Sequence, residues 1–179
     1  MLGLKRGTVA LYPHEKAWEE EAAKTIETLK NILGDTAVEL QHVGSTSIKS
    51  IQAKPIIDIA VGVRSLDEVM NFEEELLQYG FYHRETDLEN QLLFACGSYY
   101  DGSGELQTHF IHVVIYESRE WKDYINFRDH MNANAEDAKQ YENLKLRLAA
   151  QAPIDIGREK YLKGKHGFIT GILEKISAD

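Results

Sequence analysis

The stretch that decides the fold runs from His42 to Val63 and reads HVGSTSIKSIQAKPIIDIAVGV. Its last part, Ile56 to Val63, is nearly all apolar, which is typical of a buried central strand. The segment from Val38 to Val43 is rich in β-forming residues and predicts a second strand just before a turn of small residues. A single carboxylate, Asp58, interrupts the apolar run. Because a buried carboxylate is costly unless it is paired, hydrogen-bonded or metal-bound, Asp58 is the first candidate functional residue.

The turn between these strands, Gly44-Ser45-Thr46-Ser47, has the composition of a phosphate-binding loop. Glycine lets the backbone approach a ligand closely, and the amides of a helix that begins after the turn would hold phosphate oxygens. Each feature has a plainer interpretation. A Gly-Ser turn is usually only a turn with a helix cap, and a lone strand aspartate more often pairs with a lysine, here Lys54. The turn and the aspartate together, one short segment apart, predict phosphate and divalent-metal chemistry.

Outward from this stretch, the apolar spacing predicts a helix between His14 and Leu33 that Gly34 ends. After the apolar strand, the pattern Ser65 to Glu68 predicts a capping box and a helix that continues to Gly80. Three more strands are predicted, the last two joined by a hairpin tip at Asp101-Gly102: Phe81 to Arg84, Gln91 to Cys96 and Leu106 to Tyr116.

The last third of the sequence predicts helices. One contains Trp121 and Met131 on a shared face, a second begins near Asn134 and is broken by Pro153, and a third contains Tyr161 and Ile176. No repeat or linker divides the chain, so residues 1–179 form a single predicted domain. The order of helix, strand-rich middle and helical tail predicts an α+β or mixed α/β fold, a small mixed sheet flanked by helices.

Composition excludes several classes of protein. The chain has 179 residues and a net charge of −9, from 29 acidic residues against 20 Lys and Arg, so bulk nucleic-acid binding is not expected. One cleft can still be basic, because net charge does not describe a local pocket. Cys96 is the only cysteine, so no intrachain disulfide can form. No apolar run approaches the roughly 18 residues of a membrane span, and we expect a cytoplasmic protein.

The central stretch resembles the signature of the nucleotidyltransferase superfamily, a Gly-Ser turn followed by a strand that carries acids. It is most similar to the GrpB-like family, and the resemblance covers most of the chain. Thr108 to Val113 resembles the family's His-x-x-His strand, Phe127 to Asp129 its Phe-Arg-Asp helix, and Tyr161 with Lys165 its C-terminal spacing. In the central stretch the matching residues are His42, Gly44, Ser45, Thr46, Ala53, Lys54, Pro55, Ile57 and Asp58.

The resemblance implies a nucleotidyltransferase-like fold with a helical C-terminal third. In active members of the superfamily, strand carboxylates hold two divalent metals that align a hydroxyl with a triphosphate. This sequence departs from that pattern, because the second acid of the pair is Ala60 and the later strand offers histidines instead of a third carboxylate. Two Mg²⁺ ions prefer oxygen ligands, whereas Zn²⁺ or Mn²⁺ accepts one aspartate with imidazoles more readily. The expected cofactor is therefore a divalent metal, with Mg, Mn and Zn all considered.

Two histidines are candidate metal ligands beside Asp58. His109 and His112 lie three residues apart on a predicted strand, so their side chains point to opposite faces, and only one of them can join Asp58 unless the strand bulges. The plainer interpretation is a core histidine bonded to a backbone carbonyl, and His42 raises the same question.

The predicted roles follow. Asp58, Ser45 and Lys54 are the candidate catalytic residues, and Gly44 to Ser47 with Arg128 and Lys165 are the candidate phosphate ligands. Lys54, Arg128 or Lys165 would neutralise the charge of the phosphates. Arg128 is equally well explained by an internal salt bridge, and a solvated side chain is the favoured interpretation of Lys165.

The leading hypothesis is a metal-dependent nucleotidyltransferase that binds a nucleoside triphosphate, or another phosphorylated small molecule, and transfers a nucleotidyl group to an unknown acceptor. The alternative is a catalytically degenerate protein of the same fold that binds a ligand or a partner, which Ala60 favours. A third hypothesis is a metal-dependent hydrolase that uses Asp58 and His112.

Overall fold

The computed structural model describes residues 1–97, 106–151 and 157–178. These residues form one mixed sheet of six strands with six α-helices around it. The strands are β1 (Leu4–Lys5), β2 (Ala37–Val43), β3 (Ile57–Val63), β4 (Phe81–Arg84), β5 (Gln91–Gly97) and β6 (Leu106–Ile115). The helices are α1 (Lys16–Leu33), α2 (Leu66–Met70), α3 (Glu73–Gln78), α4 (Arg119–Ala133), α5 (Ala135–Ala150) and α6 (Gly157–Ala178). The predicted mixed α/β class with a helical last third is confirmed.

Strand β6 lies inside the sheet, whose order is β2-β3-β6-β5-β4. It pairs in parallel with β3 and antiparallel with β5, and its first residues pair antiparallel with β1. The parallel pairing places Asp58 beside Phe110 and Ala60 beside His112. The register therefore brings the aspartate strand and the histidine strand next to each other.

Alternate residues of β3 point to opposite faces of the sheet. On one face Ile57, Ile59 and Val61 are fully buried and pack in the main core. The other face carries Asp58 and Ala60, and α4 packs over part of it. The sheet thus has an apolar face toward α1 and a face toward α4 on which the candidate site lies.

Helix α1 covers the apolar face because its buried residues recur at helical spacing. Trp18, Ala22, Leu29 and Leu33 are all buried, and Trp18 is only 1% exposed, so this aromatic ring belongs to the chain's own core. Gly34 follows the helix with a φ of +50°, which ends it as predicted.

The three C-terminal helices form a second apolar cluster, which also includes the segment between the turn and β3. Ile48 and Ile51 of that segment pack with Met131 of α4, Tyr141 of α5 and Ile172 of α6. The helical third therefore lies directly over the chain that leads from the small-residue turn to Asp58.

Three details differ from the sequence predictions. The helix predicted up to Gly80 is split into α2 and α3, because the amides of Asn71 and Phe72 bond three residues back, to Glu68 and Val69, instead of continuing an α-helix. The capping box is also wrong: Ser65 has the extended backbone of an N-cap, but its side chain makes no capping bond. The short strand β1 was not predicted, since two residues carry no detectable period.

The predicted hairpin tip Asp101-Gly102 and the predicted break at Pro153 lie outside the described residues. Across residues 1–97, 106–151 and 157–178, every helix is too short or too polar to cross a membrane.

Candidate functional site

The small-residue turn and the strand aspartate are in direct contact. Gly44 has a φ of +69° and a ψ of −172°, a conformation that side-chain-bearing residues rarely adopt. A Cβ atom at Gly44 would lie 2.3 Å from Oδ2 of Asp58. Only glycine therefore allows the carboxylate to rest against the backbone of the turn, and the sequence pairing of Gly44 with Asp58 has a steric basis.

The other carboxylate oxygen contacts the next strand. His112 Nε2 lies 3.0 Å from Oδ1 of Asp58, and the exposed fractions of the two side chains are 17% and 24%. An ionised carboxylate only accepts hydrogen bonds, so His112 Nε2–H donates to Asp58. Both oxygens of Asp58 are thus fixed in direction, one toward the turn and one toward β6.

His112 is held from its other side by α4. The hydroxyl of Tyr124 lies 3.1 Å from Nδ1 of His112 and 3.3 Å from Oε1 of Gln91. Burial is the largest cause that raises the pKa of Tyr124, and the charge of Asp58 is the next, so this hydroxyl stays protonated. Asp58, His112, Tyr124 and Gln91 form one chain of contacts from the turn to β5.

Two hydroxyls of the turn are directed into the protein. Thr46 is fully buried; its Oγ1 lies 2.9 Å from Nε2 of His42 and donates to the carbonyl of Ile56. Ser47 Oγ donates to the carbonyl of Gly44 over 2.6 Å. Ser45 is half-buried. The helix expected after the turn is a 3-10 turn of 3 residues, which is too short to act as a helix N-terminus for an anion.

His42 lies between charges of both signs. Burial is the main cause that lowers its pKa to about 4, with Asp58 and Glu19 acting in the opposite direction and Arg128 in the same one. The imidazole is therefore neutral near pH 7 and is anchored on Thr46. In this structure His42 supports the turn from within.

His109 lies on the opposite face of β6 from His112, as strand alternation predicts. It is 6% exposed, and its ring nitrogens lie 3.1 Å from Oγ1 of Thr25 and 2.8 Å from Oγ1 of Thr108. Burial lowers the pKa of His109, although Glu21 opposes this effect. The structure therefore places His112, and not His109, beside Asp58.

Arg128 packs against the edge strand of the sheet. Its guanidinium donates to Oε1 of Gln41 and to the carbonyl of His42, and also pairs with Asp129. Together with His42 and Ser47 it lines a cavity of about 430 Å³ between α1, β2 and α4 that does not include Asp58. The structure thus ties Arg128 to β2 rather than to the aspartate.

Lys54 and Lys165 meet at one aromatic ring. Their Nζ atoms lie 5.1 Å and 4.8 Å from the ring centroid of Tyr161, which is buried. Lys54 belongs to the segment before β3 and Lys165 to α6. The fold therefore brings together, from distant parts of the chain, a candidate catalytic lysine and a candidate phosphate ligand.

The protein offers too few ligands to complete the shell of one metal ion, and it does not offer the ligands that a second ion would need. Ala60, at the position of the second acid, is fully buried in a cluster with Val43, Val114 and Trp121. In the described part of the chain, no three His, Cys, Asp or Glu side chains are grouped to hold a metal. A single ion could take Asp58 and His112 only if ligand oxygens and water completed its shell.

Several residues of this site were not assigned a role from the sequence. Tyr124 contacts His112 and Gln91 contacts Tyr124, and neither residue lies in a recognisable motif.

Comparison with known proteins gives a family match over most of the chain. The sequence pattern of the family described as GrpB protein matches residues 8–175. The chain is 39% identical over 178 residues to the glutamate-rich protein GrpB of Alkalihalophilus pseudofirmus, covering 98% of this chain and 100% of that one. It is 33% identical to the UPF0157 protein YqkA of Bacillus subtilis, covering 93% of this chain and 49% of YqkA.

Two solved structures show a fold similar to that of this chain. The conserved protein GrpB from Enterococcus faecalis superposes with a TM-score of 0.82 and 28% identity, covering 93% of this chain and 96% of that one. Cid1, solved in a study of its RNA terminal uridylyl transferase activity, superposes with a TM-score of 0.54 over 79% of this chain and 42% of Cid1. At 17% identity this second likeness shows the fold alone.

Proposed function

The chain belongs to the GrpB protein family and has a nucleotidyltransferase-like fold, and we propose that it binds a nucleoside triphosphate at Asp58 and transfers a nucleotidyl group to an acceptor hydroxyl. The observation that carries the proposal is the contact between Gly44 and the Asp58 carboxylate. It joins the turn that resembles a phosphate loop to the strand acid that resembles a metal ligand.

The surroundings of Asp58 support its proposed role in nucleotidyl transfer. Asp58 is a quarter exposed, so a ligand can reach it, and His112 with Tyr124 holds it in one orientation. Ser45, the half-buried hydroxyl of the turn, follows Gly44 directly. In the proposed reaction the acceptor oxygen bonds to the α-phosphorus, the bond from that phosphorus to the pyrophosphate oxygen breaks, and the acceptor proton leaves to a base.

A divalent ion is part of this proposal in a limited role. Asp58 and His112 are the residues that would hold it, and it would neutralise charge on the phosphate oxygens. Mg, Mn and Zn all suit a site whose remaining ligands come from the substrate and water. A second ion is not part of the proposal, since Ala60 is buried among apolar side chains.

Thermal unfolding with ligands tests the binding step. We expect one nucleoside triphosphate with Mg²⁺, Mn²⁺ or Zn²⁺ to raise the melting temperature of the wild type, since ligand at 100 times its Kd stabilises by about 2.7 kcal/mol. The Asp58→Asn variant should lose this shift. Asp87→Asn, which changes an exposed aspartate between β4 and β5, should keep it. Equal shifts in wild type and Asp58→Asn would refute a site at Asp58.

A second candidate function is favoured by Ala60. A protein of this fold that binds a nucleotide or a partner without catalysis needs no second acid at that buried position. Release of pyrophosphate from the bound triphosphate separates the two functions. Binding that depends on Asp58, with no pyrophosphate released in the presence of candidate acceptors such as RNA, nucleosides and small alcohols, would favour the non-catalytic function.

A further inference from the structure

The cavity between α1, β2 and α4 lies apart from Asp58 and has the size of a ligand site. Its volume of about 430 Å³ falls in the range of roughly 300–1,000 Å³ that small-molecule sites occupy. Helix α1 contributes two short side chains to it, Ala22 and Ala23, and β2 contributes Leu40. Together with Ile26 these residues form an apolar wall. A ligand for this cavity therefore has an apolar part.

A second wall is polar and comes from α4 and the segment after the small-residue turn. Asn132 Oδ1 accepts from the amide of Lys49, and Asn132 Nδ2 donates to the carbonyls of Ser47 and Arg128. All four residues line the cavity. Asn132 thus ties the backbone of Lys49 to α4, so that both cationic side chains belong to this wall.

Two polar atoms of the lining have no hydrogen-bond partner among the described residues. Arg128 uses Nε and Nη1 for its bonds to Asp129 and β2, which leaves Nη2 as a spare donor. Neutral His42 donates from Nε2 to Thr46, whose own proton goes to a carbonyl, and this leaves Nδ1 of His42 as a spare acceptor. A ligand that bonds both atoms needs an acceptor and a donor.

Both of these atoms are accessible to a ligand. Within residues 1–97, 106–151 and 157–178, only two polar side-chain atoms are buried without a partner, and they belong to His14 and Gln91. Arg128 Nη2 and His42 Nδ1 are therefore not sealed inside the protein. The open space beside both residues is the cavity that they line.

Charges of both signs border the cavity. Lys49 Nζ lies 3.8 Å from Oε1 of Glu19, and their side chains are 71% and 40% exposed, so this pair lies at the open side. Exposed pairs contribute little to stability, and a ligand can displace this one at small cost. Arg128 is already paired with Asp129. The remaining ammonium and carboxylate balance each other, which favours a zwitterion over a net anion such as phosphate.

We propose that this cavity binds a free aliphatic α-amino acid. The ligand carboxylate accepts from Arg128 Nη2 and Lys49 Nζ through charge-assisted hydrogen bonds. The ligand ammonium donates to Glu19 and to His42 Nδ1, and the aliphatic side chain packs on the apolar wall. Asp58 does not line this cavity, so the amino-acid site is separate from the proposed nucleotide site and does not depend on it.

Calorimetric titration of the full chain with leucine, isoleucine, valine and methionine tests the proposal. Two analogues of the tightest binder separate its charges, namely the same acid without the ammonium group and the amide of the amino acid. We expect the amino acid to bind at least about tenfold more tightly than either analogue, since each analogue loses a charge-assisted contact. A wild type that binds none of the four amino acids, or binds the acid analogue equally well, would overturn the proposal.

Two charge variants locate the two ends of the ligand. Glu19→Gln should weaken the amino acid about tenfold and leave the acid analogue unchanged, because only the ammonium contacts Glu19. Lys49→Gln should weaken the amino acid and the acid analogue but not the amide. Glu20→Gln is the matched control, since Glu20 also lies on α1 but is 60% exposed and outside the cavity. Equal affinities of Glu19→Gln and Glu20→Gln for the amino acid would refute the site.

Filling the cavity separates binding there from binding elsewhere on the surface. Ala23→Leu enlarges a side chain of the apolar wall at an exposed position of α1, where leucine is a good helix former. Ala17→Leu makes the same change at an exposed position of α1 outside the cavity and serves as the control. We expect Ala23→Leu to lose amino-acid binding and Ala17→Leu to keep it. Equal binding by both variants would contradict the proposal.

The Asp58→Asn variant distinguishes this site from the proposed function. We expect it to bind the amino acid as the wild type does while it loses metal-dependent nucleotide binding. Amino-acid binding by a wild type that binds no nucleotide would retain this site and reject the proposed function. Loss of amino-acid binding in Asp58→Asn would place the ligand at Asp58 and overturn the separate site.

Discussion

The two faces of strand β6 carry one histidine each, and their surroundings are opposite in kind. His109 faces α1, is 6% exposed, and is enclosed by Thr25 and Thr108 at the edge of the main core. His112 faces α4 and contacts Asp58 and Tyr124, both on the more open side of the sheet. The same residue type on the same strand thus serves packing on one face and a polar site on the other.

The difference extends to the neighbouring strand. On the α1 face, β3 presents large residues such as Ile57 and Ile59, whereas on the α4 face it presents Asp58, Ala60 and Gly62. Small residues let other groups come close: a Cβ at Gly62 would lie 3.1 Å from the Trp121 ring. Small residues of β3 therefore let Trp121 of α4 pack close to the sheet on the face that carries Asp58.

A second acid at Ala60 gives the sharpest test of this asymmetry. Ala60→Asp would bury an unpaired charge among Val43, Val114 and Trp121, and we expect a loss of about 3–5 kcal/mol in the free energy of unfolding. Urea unfolding measures it. Val38→Asp, on the exposed part of β2, is the control and should cost less than about 1 kcal/mol. A small loss at Ala60, or full recovery of stability with Mn²⁺, would show that this face accepts a second ion.

Gly44→Ala tests the contact between turn and carboxylate. We expect a loss of about 2–4 kcal/mol, because a positive φ and a displaced neighbour each cost about 1–3 kcal/mol. Gly34→Ala is the matched control, since Gly34 has a φ of +50° but no atom within 4 Å of the added Cβ. Chemical denaturation compares the two. If both variants lose the same stability, the backbone conformation matters and the Asp58 contact does not.

Acid should weaken the protein partly through His42. Its folded-state pKa of about 4 lies below the usual value of 6.5, so the unfolded chain binds the proton first as the pH falls. Stability contributed by the neutral imidazole is complete above pH 6.5 and is lost between pH 6.5 and about 4, by about 3 kcal/mol. Unfolding at several pH values should show a smaller decline in His42→Gln than in wild type. His166→Gln, which changes an exposed histidine, should decline as the wild type does.

The smallest expected effects come from two variants that each remove one hydroxyl, one beside His112 and one beside His109. Tyr124→Phe removes the hydroxyl beside His112, and Thr25→Val removes the hydroxyl beside His109. Each should cost about 1 kcal/mol of stability, the usual value of one hydrogen bond. Only Tyr124→Phe should also shift the ring-nitrogen NMR signals of His112 and weaken metal-dependent nucleotide binding. Weaker nucleotide binding in Thr25→Val alone would reverse the assignment of the two faces.

Much of the fold was accessible from the sequence because its elements have clear periods. The apolar run of β3, the helical spacing of α1 and the alternation that separates His109 from His112 all depend on local order, which the sequence displays. The break between α2 and α3 could not be predicted from the sequence, because the apolar spacing stays helical across it. The amides of Asn71 and Phe72 only bond three residues back instead of four.

The site was predicted in part for the same reason. The pairing of Gly44 with Asp58 followed from two nearby motifs, but Tyr124 and Gln91 reach His112 through tertiary packing that no local pattern encodes. The direction of Arg128 toward β2 depends on how α4 docks on the edge strand.

The interior position of β6 also sets an order for folding. Residues 4, 57 and 91 belong to three different strands that all pair with β6, at residues 107, 109 and 114. Pairings between residues so distant along the chain form slowly, whereas the β4–β5 hairpin is local and forms early. During synthesis the apolar strand β3 must therefore wait, with one edge uncovered, until residue 115 has left the ribosome. Asp58 and His112 meet only at that moment, so no shorter nascent chain can present the site.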